Sequence, residues 1–426
     1  HNPAYAKAIL TNAVEFDMPP VVGITAPAAG AALIPGSTVE ITWTAADAEG
    51  PVTVDLFYTG GAAVVSGSFE AADDVTIATG LTGGSYMWDV PNADLFGASL
   101  KAVVTSASGQ TSTTMNTFSI VNASPRGYVG SATCNNCHET AYTEVFASGH
   151  PYKLNKVVGG VAPTYPFSAV PATPAGTTWA DVSYVIGGYG WKARFIDLNG
   201  YIITAGGMNQ YNLATSGWVD YHKDEVKKPY DCGSCHTTGW QTLAENGGVN
   251  QDGLPGIHGT WEEPGIGCEA CHGPGVDHIT SQDAADITVD YGNDSCTSCH
   301  NRGALDQIPA SGGFVKHHEQ GNEWTAGAHG GTEVGCNTCH DAHIGAQYGH
   351  AEAGGIIATC ESCHTDYADN NSHVVDVACT TCHMPFSSKS ALATNIYTGD
   401  IMSHLFNINT DATLTKADMF TEDGSQ

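Results

Sequence analysis

Between residues 20 and 122, apolar and polar positions alternate in short runs separated by turn-forming clusters. The runs are Ser37–Ala45, Val52–Tyr58, Val75–Thr79, Ser85–Val90, Ser99–Ser106 and Thr113–Val121. In Val52–Tyr58 the side chains of Val52, Val54, Leu56 and Tyr58 fall on one face of an extended chain, the pattern of a half-buried strand. Several such strands with glycine-rich turns predict a β-sandwich. Trp43 and Trp88 sit within alternating runs, which predicts both for its core.

The flanking segments follow different rules. Residues 1–19 form an N-terminal arm in which a short helix could begin after Pro3, and Pro19-Pro20 would stop it. Residues 123–126 make a short joint. A second domain, 127–426, loses the regular alternation. It holds one clear hairpin signal: Trp191–Ile196, a turn at Asn199-Gly200, then Tyr201–Thr204.

That second domain is punctuated by one motif. Cys-x-x-Cys-His occurs seven times, at Cys134/Cys137/His138, Cys232/Cys235/His236, Cys268/Cys271/His272, Cys296/Cys299/His300, Cys336/Cys339/His340, Cys360/Cys363/His364 and Cys379/Cys382/His383. A lone C-x-x-C would fit a zinc site or a redox dithiol. Histidine after all seven pairs is the c-type haem attachment pattern, with two thioethers and a proximal imidazole. The motifs use all 14 cysteines, leaving none for a disulfide. Motif starts are 98, 36, 28, 40, 24 and 19 residues apart. Most gaps are too short for a folded layer between cofactors. The 51 glycines suit tight turns and close approach to a flat cofactor. The expected domain is therefore loop-rich, with a short helix at each motif and a small hairpin sheet.

The sixth position on each iron decides what it can do. A second histidine closes the iron for electron transfer, whereas an open position favours catalysis. Nineteen histidines leave 12 beyond the proximal set, and methionine is scarce at seven. Bis-histidine ligation throughout is the expectation. The candidate second ligands are His150, His278, His317, His318, His329, His343, His373 and His404; His1, His222, His258 and His350 are weaker. His343 lies three residues after His340, too near to reach the other face of that haem, so it would serve a neighbour. The adjacent His317 and His318 project in different directions and could serve two irons.

Charge narrows the partners. The formal net charge of −30 arises from 44 acidic residues against only 14 Lys and Arg. Charged residues are 14% of the chain, well below the common share of about 25%. Such a surface repels nucleic acid and anionic lipid. The apolar stretch Val21–Gly36 holds two prolines and three glycines and is too short to span a bilayer. Covalent haem attachment occurs outside the cytoplasm, so export with removal of a signal peptide is expected.

Longer strings carry a resemblance. Gly36–Trp43 and Tyr86–Pro91 resemble bacterial extracellular immunoglobulin-like or fibronectin-type modules. Over 127–390 the chain resembles extracellular multihaem c-type cytochromes, particularly those that polymerise into cytochrome nanowires. The resemblance rests on Gly127–Cys134, Ser148–Lys156, Tyr184–Phe195, Gly267–Gly275 and His317–Gln320. With the alternation and the seven motifs read above, the expected fold is multidomain, an N-terminal all-β immunoglobulin-like sandwich followed by a seven-haem domain. The resemblance implies a homopolymeric filament, an axial histidine donated between subunits, and electron delivery to other cytochromes or extracellular acceptors. Members with this core carry four haems; seven motifs and a β-module are departures. Two other functions fit the motifs. One is a multihaem reductase of a nitrogen or sulfur oxyanion, with Lys316 near an open haem. The other is a soluble periplasmic electron shuttle.

Overall fold

The structure is a computed structural model and describes residues 18–48, 50–59, 64–65, 68–69, 74–289, 292–301, 309–311, 314–316, 319–345, 355–365, 377–394, 398–406 and 421–422. The chain forms two compact units: residues 1–129 with 274–288, and residues 130–273 with 289–426.

The first unit is a β-sandwich. Strands β1 (Val21–Ala26), β2 (Ala31–Leu33), β3 (Thr38–Ala46) and β4 (Thr53–Thr59) are followed by the two-residue pair β5 (Val64–Val65) and β6 (Ser68–Phe69). Then come β7 (Asp74–Leu81), β8 (Ser85–Asp89), β9 (Leu95–Thr105) and β10 (Thr111–Ile120). One sheet runs β1-β3-β8 and the other β2-β10-β9-β4-β7. The alternating runs all become strands, and β1 and β2 are added within the Pro- and Gly-rich stretch where alternation is weak. β9 shows the period of two: Ala98, Leu100, Ala102 and Val104 have no exposed surface. Trp43 and Trp88 are buried beside them. Trp88 meets Phe118 edge-on, with ring centres 5.7 Å apart. The helix Val276–Ser281 also packs in this unit. Val276 N–H donates to the Gly127 carbonyl at 3.1 Å, and Ser119 Oγ lies 3.4 Å from the Ile279 carbonyl.

The second unit centres on a larger sheet than one hairpin. β11 (Leu154–Lys156), β12 (Val182–Gly187), β13 (Lys192–Asp197), β14 (Tyr201–Ile202) and β17 (Lys228–Pro229) follow one another. β15 (Gln210–Asn212) pairs with β13 and with β16 (Gly217–Val219). Both faces of this sheet are covered. Leu154, Tyr184, Ile186, Ile196 and Ile202 pack on one side, and Val182, Val185, Ala193, Phe195 and Tyr211 on the other. Two-sided burial explains why β12 reads as a nearly continuous apolar run. The hairpin turns at Gly200, whose φ of +88° suits glycine; a Cβ there would meet Ile257 N at 2.9 Å. Among the described residues no helix is long and apolar enough to cross a membrane.

Candidate functional site

Each Cys-x-x-Cys-His begins or fills a short helical turn in the second unit. The turns are Ser131–Cys134, Gly233–His236, Cys268–His272, Asp294–Thr297, Cys336–Cys339, a 3-10 turn Cys360–Ser362, and Cys379–His383. One turn of helix brings residues three apart to the same side, so each cysteine pair can reach one flat group with the histidine beneath it. No disulfide joins any of the 14 thiols, and none is buried. The second motif uses glycine because the Trp240 indole occupies the space a Gly233 side chain would need.

Between motifs, side chains cap neighbouring turns. Ser131 Oγ, at the first motif, accepts from the Cys268 N–H at 3.0 Å, and Glu269 Oε2 accepts from the Gly130 N–H at 2.8 Å. Asn293 Oδ1, just before the fourth motif, accepts from the Cys336 N–H at 2.7 Å. These bonds satisfy helix-end donors that have no partner within the turn. Thiols also meet across motifs. Cys134 contacts Cys268, Cys235 contacts Cys299, Cys296 contacts Cys336, and Cys360 contacts Cys379. Cys299 Sγ is 3.6 Å from the Ser234 carbonyl, and Cys379 Sγ is 3.6 Å from Glu361 Oε1. Cys271 lies near Cys296, and Cys339 near Cys363. The described contacts therefore run from motif one to three, four, five, six and seven, with motif two beside motif four.

Cys137, His138 and Cys382 are exposed, as are Cys271, Cys360, Cys363 and Cys379. Within the first motif the backbone closes the turn. The Cys137 and His138 N–H groups both donate to the Cys134 carbonyl, at 3.2 and 2.9 Å, and His138 then leads into the helix Glu139–Ala147. Cys382 lies inside the Cys379–His383 turn, on its outer surface.

Among the described residues, four pairs of histidines face one another at a single spacing. Ring centres are 6.3 Å apart for His150 and His300, and 6.2 Å for each of His272–His343, His329–His364 and His340–His404. Two imidazoles bound on opposite faces of one metal, at about 2 Å each, would have ring centres roughly 6 Å apart. Stacked rings elsewhere in the chain vary in spacing, from 4.2 Å for Tyr142 and Phe146 to 6.2 Å for Trp240 and Trp261, whereas the histidine pairs share one value. Each pair joins a motif histidine to a histidine from elsewhere in the chain, and the interplanar angles range from 8° to 84°. A common distance with variable rotation is what a shared central atom imposes. These residues fit haem. The motif histidines His138, His236 and His383 are not members of these four pairs.

Proton placement agrees. His236 Nδ1 is 3.0 Å from the Lys153 carbonyl and His383 Nδ1 is 2.9 Å from the Phe406 carbonyl. A carbonyl only accepts, so Nδ1 carries the proton and Nε2 keeps its lone pair for a metal. Burial, then the Lys153 ammonium, then His300 hold His150 down at about 3. Burial, with His340 beside it, lowers His404 to about 4. Both imidazoles are thus neutral at ordinary pH, the form that ligates.

The remaining candidates are placed unequally. His278 lies in the first unit, with Nδ1 2.9 Å from the Asp283 carbonyl. His317, His318, His373, His1, His350 and the Lys316 side chain lie outside the described residues. Of the weaker candidates, His222 is bonded to Glu225 at 2.6 Å. Sequence reasoning passed over Lys153, whose charge acts on both His150 and His300. It also passed over Glu323, which is 1% exposed with Oε2 2.9 Å from the His404 N–H. Neither stands in a recognisable motif; the only signal for Lys153 was its scarcity, one of 14 cations in a haem-binding chain.

The sandwich, the motifs and the paired imidazoles define a multihaem c-type cytochrome with an immunoglobulin-like N-terminal module. Residues 20–123 match the family described as bacterial Ig domain, and residues 208–273 match cytochrome c554 and c-prime. The chain is 26% identical over 157 residues to the multiheme cytochrome MtrA of Shewanella baltica, a match covering 32% of this chain and 42% of that protein. It is 30% identical over 152 residues to the C-type polyheme cytochrome OmcC of Geobacter sulfurreducens, covering 32% and 18%. The chain thus spans less than half the length of these curated relatives. Among solved structures, the outer cell wall cytochrome OcwA is 18% identical with a TM-score of 0.42, covering 66% of this chain and 79% of that one. The undecaheme cytochrome from the S-layer of Carboxydothermus ferrireducens is 21% identical with a TM-score of 0.30, covering 44% and 28%.

Proposed function

We propose that the protein carries electrons over a long distance through seven covalently bound haems, each closed by two histidines, outside the cell or at its surface. The observation that carries this reading is the common 6.2–6.3 Å spacing of the four histidine pairs. Bound haem supplies a reversible one-electron iron couple. The motif cysteines would tether it, and the paired imidazoles would ligate its iron and leave no place for a substrate. In this assignment His150 completes the fourth centre, His343 the third, His404 the fifth and His329 the sixth. His278, His317, His318 and His373 then remain for the first, second and seventh. The contacts between motif cysteines support a continuous path. Thiols of adjacent motifs approach within hydrogen-bonding reach at four places, which brings the tethered edges of successive cofactors together. In these contacts the first, second and seventh motifs each meet one other motif, which suits the ends of that path, where electrons would enter and leave.

One more candidate than positions suits a filament in which a subunit donates an axial histidine to its neighbour. The immunoglobulin-like module and the resemblance to surface cytochromes support the same extracellular setting. Negative-stain microscopy with size-exclusion chromatography tests the assembly. Regular fibres are expected, and monomers under every condition tried would overturn the filament.

A further inference from the structure

We propose that Lys153 is a cofactor-binding residue: its ammonium pairs with a propionate of the haem held between His150 and His300. By that charge it raises the reduction potential of the fourth centre above what burial alone would set. This rests on the axial pairing proposed above.

Lys153 closes the 3-10 turn Pro151–Lys153 that leads into β11. Its Nζ lies 5.8 Å from the centre of the Trp191 ring. Trp191 holds a φ of +48°, a left-handed conformation a bulky residue rarely adopts, so the surrounding structure enforces its position over the lysine. An ammonium drawn partly out of water, as that of half-buried Lys153 is, gains from an anionic or hydrogen-bonding partner. Among the described residues no carboxylate stands within ion-pair distance of Lys153, whereas Lys101, Lys156 and Lys228 each have one. Its Nζ folds back over the start of its own turn, 3.8 Å from where a Cβ on Gly149 would stand, beside His150, whose ring faces His300. The missing anion therefore belongs in the space those two rings border. A haem brings two carboxylates on its edge, and these are the anions this pocket lacks.

The placement has an electrical consequence. A cation beside a haem favours the reduced state, which carries one more negative charge. The fourth motif touches the second through Cys299 and Ser234, the fifth through Cys336 and Asn293, and the third through Cys271 and Cys296. Lys153 also gives its carbonyl to His236 of the second motif at 3.0 Å. It thus charges the centre where three branches of the path meet.

Spectroelectrochemical titration of the full-length holoprotein tests this, with haem content verified at seven per chain in each variant. Lys153→Met is expected to move one of the seven midpoint potentials downward and leave the others in place. Lys153→Arg is expected to restore most of that shift by keeping the charge. His150→Ala identifies the centre: it should turn one haem high-spin and perturb the same wave. Unchanged potentials in Lys153→Met, or a shift in a wave that His150→Ala leaves alone, would overturn the inference. If His150→Ala leaves every haem low-spin, the axial pairing itself fails, which is a different result from an unmoved wave.

Discussion

At the scale of single residues, the account turns on which histidines face which. Cys-x-x-Cys-His makes half of each site legible without any structure, because attachment chemistry forces the two thiols and the imidazole into one short stretch. The second ligand is under no such constraint. His150 stands 12 residues after the first motif histidine yet faces the fourth, and His404 lies beyond the seventh motif yet faces the fifth. Spacing along the chain cannot reveal that, since the loops between motifs are free to bring any histidine to any iron. His343→Ala is expected to keep seven covalently bound haems while converting one from low to high spin, read by electron paramagnetic resonance. His222→Ala, at a site occupied by Glu225, should leave all seven spectra unchanged.

Elements set the stability around those residues. The helix Gln320–Ala326 buries Glu323, and burial pushes its carboxyl up to about 7, with Glu319 adding repulsion and the His404 N–H and Ser403 pulling the other way. In the unfolded chain the group ionises near 4.5, so between there and about 7 the folded protein holds a proton that the unfolded chain has lost. Stability from this group is therefore present below that window and declines as pH rises through it, by at most about 3 kcal/mol. Glu323→Gln should flatten this part of the stability–pH profile measured by denaturant unfolding, and stabilise the protein above pH 7. In the sandwich, alternation made the strands readable and placed Trp43 and Trp88 in the core. Strands β1 and β2 escaped notice because Pro27, Gly30 and Pro35 break the pattern while backbone pairing with β3 and β10 persists. Trp88→Ala removes a buried ring in contact with Phe118 and should cost about 3–5 kcal/mol. Far-UV circular dichroism is expected to show an earlier melting phase with an unchanged haem spectrum.

Across the whole molecule, seven motifs spread over 250 residues converge on one path because their turns cap and touch one another, as Ser131 does for Cys268 and Asn293 for Cys336. The sequence displayed the number of centres; it could not display their order, which depends on contacts between segments as far apart as Cys134 and Cys268. Nor could it show which motifs meet, since all seven read alike in one dimension. The larger sheet was legible only at its Asn199-Gly200 turn, since its two covered faces erase the alternation that marks a half-exposed sheet. The central claim is that every one of these centres is closed by two imidazoles and serves to pass electrons. Quantitative electron paramagnetic resonance of the oxidised protein, paired with carbon monoxide addition to the reduced form, tests it most directly. The account expects seven low-spin ferric haems per chain and no carbon monoxide adduct. A stoichiometric high-spin signal with carbon monoxide binding would show an open iron and contradict it.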